Sequence, residues 1–365
     1  MKKNNLGLYI HIPFCDNICA YCGFSKLFYV EKFANSYLDA LENELKKYQG
    51  LKFYSIYIGG GTPTSLNIYQ FDRLFKLISA FKNDDAIMTI ETNPNLSDEK
   101  IHLLKKYNVN RISIGIQTFN KRLLNLINRP DYTESLNVLI NKIKEAGIND
   151  INCDLIYGLP TQTNEDIKED LNKFMELDVT HISTYCLQVE SGTIFYNQKI
   201  EEADEFEARS QYDLIYDFLK EKGYNRYEVS NFAKEGYESK HNLIYWRNQE
   251  YIGVGLSASS YYNNKRFTNT KNFNEYLKGN YIDYSENLTI EDKKFYFIML
   301  GLRLEKGISV KEYQEEFNSS IFDDYKGKIT PLIENKSLDY DGEYLKISKE
   351  YMYIMNTILS KILIY

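Results

Sequence analysis

His11-Ile-Pro-Phe-Cys15-Asp-Asn-Ile-Cys19-Ala-Tyr-Cys22-Gly-Phe24 decides the reading of this chain. Three of the five cysteines fall within eight residues, at intervals of four and three. Thiolates gathered so closely, outside a disulfide-rich composition, are metal ligands before they are anything else. Four protein thiolates saturate a [4Fe–4S] cluster and suit it to electron transfer. Three leave one iron open, and a small molecule carrying an amine and a carboxylate can chelate it. Two plainer readings stand beside this one. Structural zinc needs a fourth ligand, for which His11 is the nearby candidate, although the Cys/His spacing fits no zinc pattern well. The other is a chance gathering of cysteines in a loop.

Outward from this stretch, strand and helix patterns alternate. Strands are expected at residues 6–12, 53–58, 86–91, 111–116, 151–157 and 181–189. Helical patterns lie between them, at 31–48, 68–81, from about Ser97, up to Ala146, and at 165–176. Six β–α units in a row predict a parallel sheet with helical crossovers. The strand ends carry Gly59-Gly60-Gly61-Thr62, Glu91, Gln117, Gly158-Leu-Pro160 and Glu190. In (β/α) barrels the active site is built at that face. The cysteine loop opens there too, and six units rather than eight predict an open barrel, wide enough at one side for a large ligand.

After about residue 195 the pattern changes. Glu201-Glu-Ala-Asp-Glu-Phe-Glu-Ala-Arg209 starts a helix expected to reach Lys222, its acids forming a solvated face and a favourable first turn. Next come Tyr227-Glu-Val-Ser-Asn-Phe232 and His241-Asn242-Leu-Ile-Tyr245-Trp246, which holds the only tryptophan. Gly253-Val-Gly255-Leu-Ser-Ala-Ser-Ser260 permits close backbone approach but is too weak a pattern for a nucleotide site. From about Thr289 a separate helical pattern ends in a short hairpin and a last helix, which suggests a winged-helix-like cap. The expected division is a barrel over 1–200, an extension over 201–285 and a cap over 286–365.

Composition excludes some functions. The 365 residues, 43% hydrophobic and 26% charged, suit a folded chain of this size. A net charge of −7 argues against a nucleic-acid binder. Met1-Lys-Lys-Asn-Asn-Leu-Gly-Leu-Tyr9 has no long apolar segment, so no signal peptide is expected, and no apolar run reaches membrane-span length. Few cysteines suit a reducing cytoplasm.

Five motifs together resemble the oxygen-independent coproporphyrinogen III oxidase family of radical S-adenosylmethionine (SAM) proteins. They are Tyr9-Ile-His-Ile-Pro-Phe-Cys15, Gly59-Gly-Gly-Thr-Pro-Thr64, Arg111-Ile-Ser-Ile-Gly-Ile-Gln117-Thr-Phe119, Asp154-Leu-Ile-Tyr-Gly-Leu-Pro160 and the His241–Trp246 motif. The resemblance runs over nearly the whole chain. It implies an α/β fold: an open (β/α)6 partial TIM barrel with a small, mainly helical C-terminal domain. It implies a [4Fe–4S] cluster on Cys15, Cys19 and Cys22, and SAM contacts from Tyr9, Tyr21, Gly60, Gly61, Thr62, Glu91, Gln117, Arg129 and Asp154.

Two branches of that family differ in function. One is a decarboxylating enzyme, in which a radical derived from SAM takes hydrogen from the propionates of coproporphyrinogen III and carbon dioxide leaves. The other is the HemW-type haem chaperone, which passes haem to acceptor haemoproteins. Three features favour the chaperone. Phe24 stands where the decarboxylase has a further cysteine; only eight residues precede Tyr9, short of the decarboxylase's N-terminal extension; and the His241–Trp246 motif is associated with haem binding in the chaperone branch. His241 is thereby a candidate axial ligand, with Tyr245 and Trp246 as stacking partners; the plainer reading is a turn cap and a core filler. The resemblance also implies an electron donor for the cluster, and a haem-dependent dimer is compatible with it. Departures are Pro130-Asp131 where the family usually has a histidine, and Leu256-Ser-Ala-Ser-Ser260 where the chaperones often read Gly-Ala-His. His102, His181, Cys153 and Cys186 are read as structural.

Overall fold

The computed structural model describes residues 5–363; Lys2 and Lys3, which bear on the leader reading, lie outside the described residues. The six expected strands form and pair in sequence order, all parallel: β1 (Gly7–Ile12), β2 (Phe53–Gly60), β3 (Lys82–Thr92), β4 (Arg111–Gln117), β5 (Asp150–Tyr157) and β6 (His181–Cys186). Six helices lie on the crossovers: α1 (Glu31–Leu45), α2 (Ile68–Ser79), α3 (Asp98–Lys106), α4 (Lys121–Leu126), α5 (Leu136–Glu145) and α6 (Asn164–Glu176). Their starts are written in the sequence. Asn67 with Gln70, and Thr163 with Asp166, form capping boxes, and Ser97 accepts from the Lys100 amide.

The alternation of side chains along a strand explains both the core and the lumen. Leu8, Ile10 and Ile12 of β1, Ile56 and Ile58 of β2, and Ile151, Cys153 and Leu155 of β5 are fully buried in one core with Leu38, Leu41, Phe71 and Phe75 of α1 and α2. Each such apolar side chain contributes about 1.5–3 kcal/mol by leaving water. The intervening positions are Tyr9 and His11, Ser55 and Tyr57, Asn152 and Asp154, and Ser183 and Tyr185. Polar groups therefore line the inner wall along its height, not at the tips alone.

Beyond the barrel, α7 (Glu205–Glu221) begins at Asp204, whose carboxylate caps the Phe206 and Glu207 amides. The acidic run thus straddles the helix start. Helix α8 (Lys240–Trp246) holds the tryptophan motif and leads to a strand the sequence reading did not anticipate, β7 (Tyr251–Val254). It lies parallel to β1, with Gly7 opposite Tyr251. Antiparallel strands then extend both edges, giving a mixed sheet of twelve strands. The barrel is partial and does not close. Strand β6 ends at Cys186, three residues short of expectation, so Glu190 lies in the turn beyond it.

The C-terminal segment begins with α9 (Ile290–Gly301) and ends with α10 (Met355–Leu363). Between them three short helices accompany a three-stranded sheet, built from Ile308–Ser309 and the hairpin Leu338–Tyr340 with Tyr344–Ile347. Its own apolar cluster includes Ile298, Tyr313, Leu345 and Ile358.

Candidate functional site

The cysteine loop is clamped from several sides. Gly61 and Thr62 donate their amides to Ile12 O (2.9 Å) and Phe14 O (2.8 Å). Ala20 donates to Ile127 O at 2.9 Å and accepts from the Phe195 amide at 3.0 Å. The side chain of Asn128 reaches Ile18 O at 2.9 Å. Cys15 is buried, and Cys19 and Cys22 are half-buried. Burial pushes the Cys15 thiol up to about 11 and raises that of Cys22, against the opposing pull of Lys26. Arg129 Nη1 lies 3.3 Å from Cys19 Sγ. Its other nitrogen donates to Asn93 Oδ1 at 2.9 Å and to the Gly115 carbonyl.

Among the described residues no three His, Cys, Asp or Glu side chains gather tightly enough for a single ion. The three thiols lie on one loop, within electrostatic range of one another, and their fit to a polynuclear group lies in their chemistry. A Cβ at Gly61 would stand 2.8 Å from Cys15 Sγ, so this glycine keeps the sulfur's surroundings open. Soft thiols beside a fixed guanidinium suit an anionic iron–sulfur group. His11 does not serve as a zinc ligand here. Its Nε2 donates to Ser25 O at 2.8 Å, so its Nδ1 accepts from the Tyr9 hydroxyl at 3.0 Å. Burial pulls its pKa down to about 4, and the ring is neutral.

The residues expected at SAM come together around this loop. Tyr9 lies on β1, Gly60 ends β2 at φ +120°, and Gly61 and Thr62 follow. The Thr62 hydroxyl points at Cys15 Sγ, 3.8 Å away. Glu91, near the end of β3, accepts from Tyr57 at 2.8 Å and from the Gly60 amide at 3.0 Å. A Cβ at Gly59 would meet this carboxylate at 2.8 Å. Asp154 on β5 accepts from Asn152 at 2.7 Å. Gln117, at φ +78°, ends β4, and Tyr21 lies in the field of Cys19 and Arg129. Burial pushes Glu91 up to about 7, with the Asp154 charge adding to it, and Asp154 up to about 6. Two acids that resist ionisation on the wall of a lumen are suited to a cationic ligand. Glu190 still reaches the loop from its turn, its carboxylate covering Gly23.

The three haem candidates do not share one surface. Helix α8 lies at the N-terminal end of the strands, as the floor of the barrel: a Cβ at Gly7 would meet Ile244 at 3.1 Å and His241 at 3.5 Å. His241 is 1% exposed. Its Nδ1 pairs with the Ser55 hydroxyl at 3.0 Å and its Nε2 with Tyr245 at 2.8 Å. Ser55 sits five residues before Gly60, or about 16 Å along the strand. Tyr245 reaches a cavity of about 290 Å³ that Tyr9, His11, Phe24, Tyr251 and Ser257 also line. Trp246 faces Arg303 instead, 5.8 Å from its ring.

Sequence reading passed over Asn93, which braces Arg129, and the wall residues Tyr57, Asn152, Ser183 and Tyr185. Their signal was the polar residue at every second strand position. His181 is held by Asn152 (2.6 Å) and Tyr227 (2.9 Å). Cys153 is buried and Cys186 only partly so.

Residues 9–174 match the model of the Radical SAM superfamily, and residues 288–352 that of the HemN C-terminal domain. The chain is 37% identical to heme chaperone HemW of Lactococcus lactis, over 100% of this chain and 98% of that protein. Against heme chaperone HemW of Bacillus subtilis the identity is 35%, over 92% and 93%. The solved coproporphyrinogen III oxidase (HemN) of Escherichia coli, a radical SAM enzyme, superposes with a TM-score of 0.87 at 26% identity. That match covers 100% of this chain and 91% of that one.

Proposed function

Because the chain belongs to the oxygen-independent coproporphyrinogen III oxidase family of radical SAM proteins and is similar over its length to heme chaperone HemW, we propose that it binds a [4Fe–4S] cluster, SAM and haem, and delivers the haem to acceptor haemoproteins. The observation that carries this choice of branch is Phe24, two residues after Cys22, where the decarboxylase pattern has a further cysteine. The division at about residues 200 and 285 into barrel, extension and cap is part of the proposal, as is a cytoplasmic setting, where free thiols stay reduced. Among the described residues no helix is long and apolar enough to cross a membrane.

In this reading Cys15, Cys19 and Cys22 hold the cluster, and a bound cluster with SAM supplies one-electron chemistry. Arg129 lies against Cys19 and balances negative charge there. Gly60 and Gly61 let the backbone approach a ligand closely. Glu91 and Asp154 accept hydrogen bonds from its amine or hydroxyls. Tyr245 is the member of its motif that lines the cavity, so it supplies the contact with haem. His241, with both ring nitrogens engaged, fixes the floor and the orientation of Tyr245.

The superposition on an oxidase at TM-score 0.87 keeps a second reading, the SAM-dependent decarboxylase. An anaerobic assay separates them. Reconstituted protein, SAM, a strong reductant and coproporphyrinogen III are mixed, and tetrapyrroles and 5′-deoxyadenosine are quantified by mass spectrometry. The chaperone reading expects no decarboxylation from protein with an intact cluster. Protoporphyrinogen formed over many turnovers would make this the enzyme.

A further inference from the structure

Helix α6 lies outside the lumen, yet one of its faces grips the segment that leaves β4. Asp166, Asp170 and Phe174 stand at intervals of four and so share that face. Phe174 packs edge-on against Phe119, ring centroids 5.1 Å apart. Asp166 accepts from the Asn120 side chain at 2.6 Å and pairs with Arg122 at 2.9 Å, across the start of α4. Asp170, only 1% exposed, accepts from the Phe119 amide at 2.7 Å, and its neighbour Thr118 is wholly buried. Two residues before that amide, Gln117 adopts φ +78°, in the left-handed region that a residue other than glycine holds only when its surroundings impose it. The register between β4 and β5 also shifts between Gly115 and Gln117. Helix α4 then leads to Arg129, whose guanidinium meets Cys19.

We propose that Asp170 is a positioning residue for the SAM site: its hydrogen bond to the Phe119 amide holds the left-handed turn at the tip of β4, and through it Gln117. This rests on the SAM-binding reading above, and Asp170 stands on α6, outside the lumen wall. The Phe119 amide needs an acceptor rather than a charge, so the carboxamide of asparagine, with its own oxygen, serves in place of the carboxylate. Burial without any acceptor leaves that amide unpaired and frees the turn.

The test uses the full chain, reconstituted anaerobically, as wild type, Asp170→Ala and Asp170→Asn. Iron content, SAM affinity by calorimetry, the change that SAM causes in the paramagnetic resonance spectrum of the reduced cluster, and hydrogen exchange over residues 117–119 are measured together. Asp170→Ala should keep wild-type iron, bind SAM at least tenfold more weakly, lose the spectral change at SAM concentrations that saturate the wild type, and exchange those amides at least tenfold faster. Asp170→Asn should stay within threefold of wild type. Wild-type SAM affinity in a folded Asp170→Ala, or an Asp170→Asn as impaired as the alanine variant, overturns the proposal. Should the alanine variant not fold, Asp170→Leu, of similar size and without an acceptor, is read by the same criteria. A wild-type chain that loads its cluster but takes up no SAM fails the preceding reading instead, and the amide exchange then decides the positioning claim alone.

Discussion

Protonation of Glu91 and Asp154 should control SAM affinity. Both carboxyls are pushed up by burial, to about 7 and about 6, because the lumen wall disfavours their charged forms. A cationic ligand selects the ionised pair, so affinity rises with pH through both values and falls as pH drops below them. Between pH 8 and pH 5.5 the doubly ionised fraction falls from about 0.9 to about 0.007, a loss of about 100-fold in affinity, or ~2.7 kcal/mol. At pH 6.5 binding should release about one proton from the pair in the wild type, but only about a quarter of one in Glu91→Gln, where Asp154 alone titrates. Calorimetry in two buffers of unlike ionisation heat counts these protons, and the ligand's own titration drops out of the difference. Equal proton release by wild type and Glu91→Gln, or an affinity flat from pH 5.5 to 8, would refute the reasoning.

Other expectations are simpler to test. Gly61→Ala brings a methyl to 2.8 Å from Cys15 Sγ and 2.9 Å from the Phe14 carbonyl, so iron content should fall by more than half with the circular dichroism spectrum unchanged; full iron loading would show that the cradle is not needed. Cys19→Ala should abolish the cluster yet leave haem binding intact, as measured by iron analysis and haem titration; loss of both would show that the two functions are not separable. His241→Ala removes a buried ring and the partners of Ser55 and Tyr245, at a cost of about 2–4 kcal/mol read from denaturant unfolding. The haem spectrum of the folded variant should not change, whereas its collapse would restore His241 as the iron ligand.

Much of this molecule was legible in local spacing. The spacing of Cys15, Cys19 and Cys22 is read within a single loop, and six strands announce themselves by apolar residues at alternate positions, as in Leu8, Ile10 and Ile12. The floor of the barrel was not legible. It depends on β7 pairing with β1 across more than 240 residues of chain, and on α8 landing beneath Gly7 and Ser55, contacts that no local pattern encodes. Read without them, His241 is a polar residue beside aromatics, open both to a ligand's role and to a turn cap's. Seen in place, it is a buried ring with two hydrogen bonds. The end of β6 was misjudged for another reason: Leu187 and Val189 are apolar enough to read as strand, but they fall in phase with the lumen-facing Ser183 and Tyr185 rather than with Ile182, and the strand ends at Cys186. Asp170 was invisible because its spacing on α6 is that of any amphipathic helix, and only the fold shows which loop it holds.

Haem transfer tests the central claim most directly. Protein with its cluster intact is loaded with one equivalent of haem, freed of excess and mixed with an apo-haemoprotein, whose absorption spectrum and activity are followed with time. The account predicts that the holo-acceptor appears and that the donor's haem spectrum decays in step, faster than haem is lost to buffer alone. A chain that takes up no haem, or keeps it while the acceptor stays empty, would contradict it.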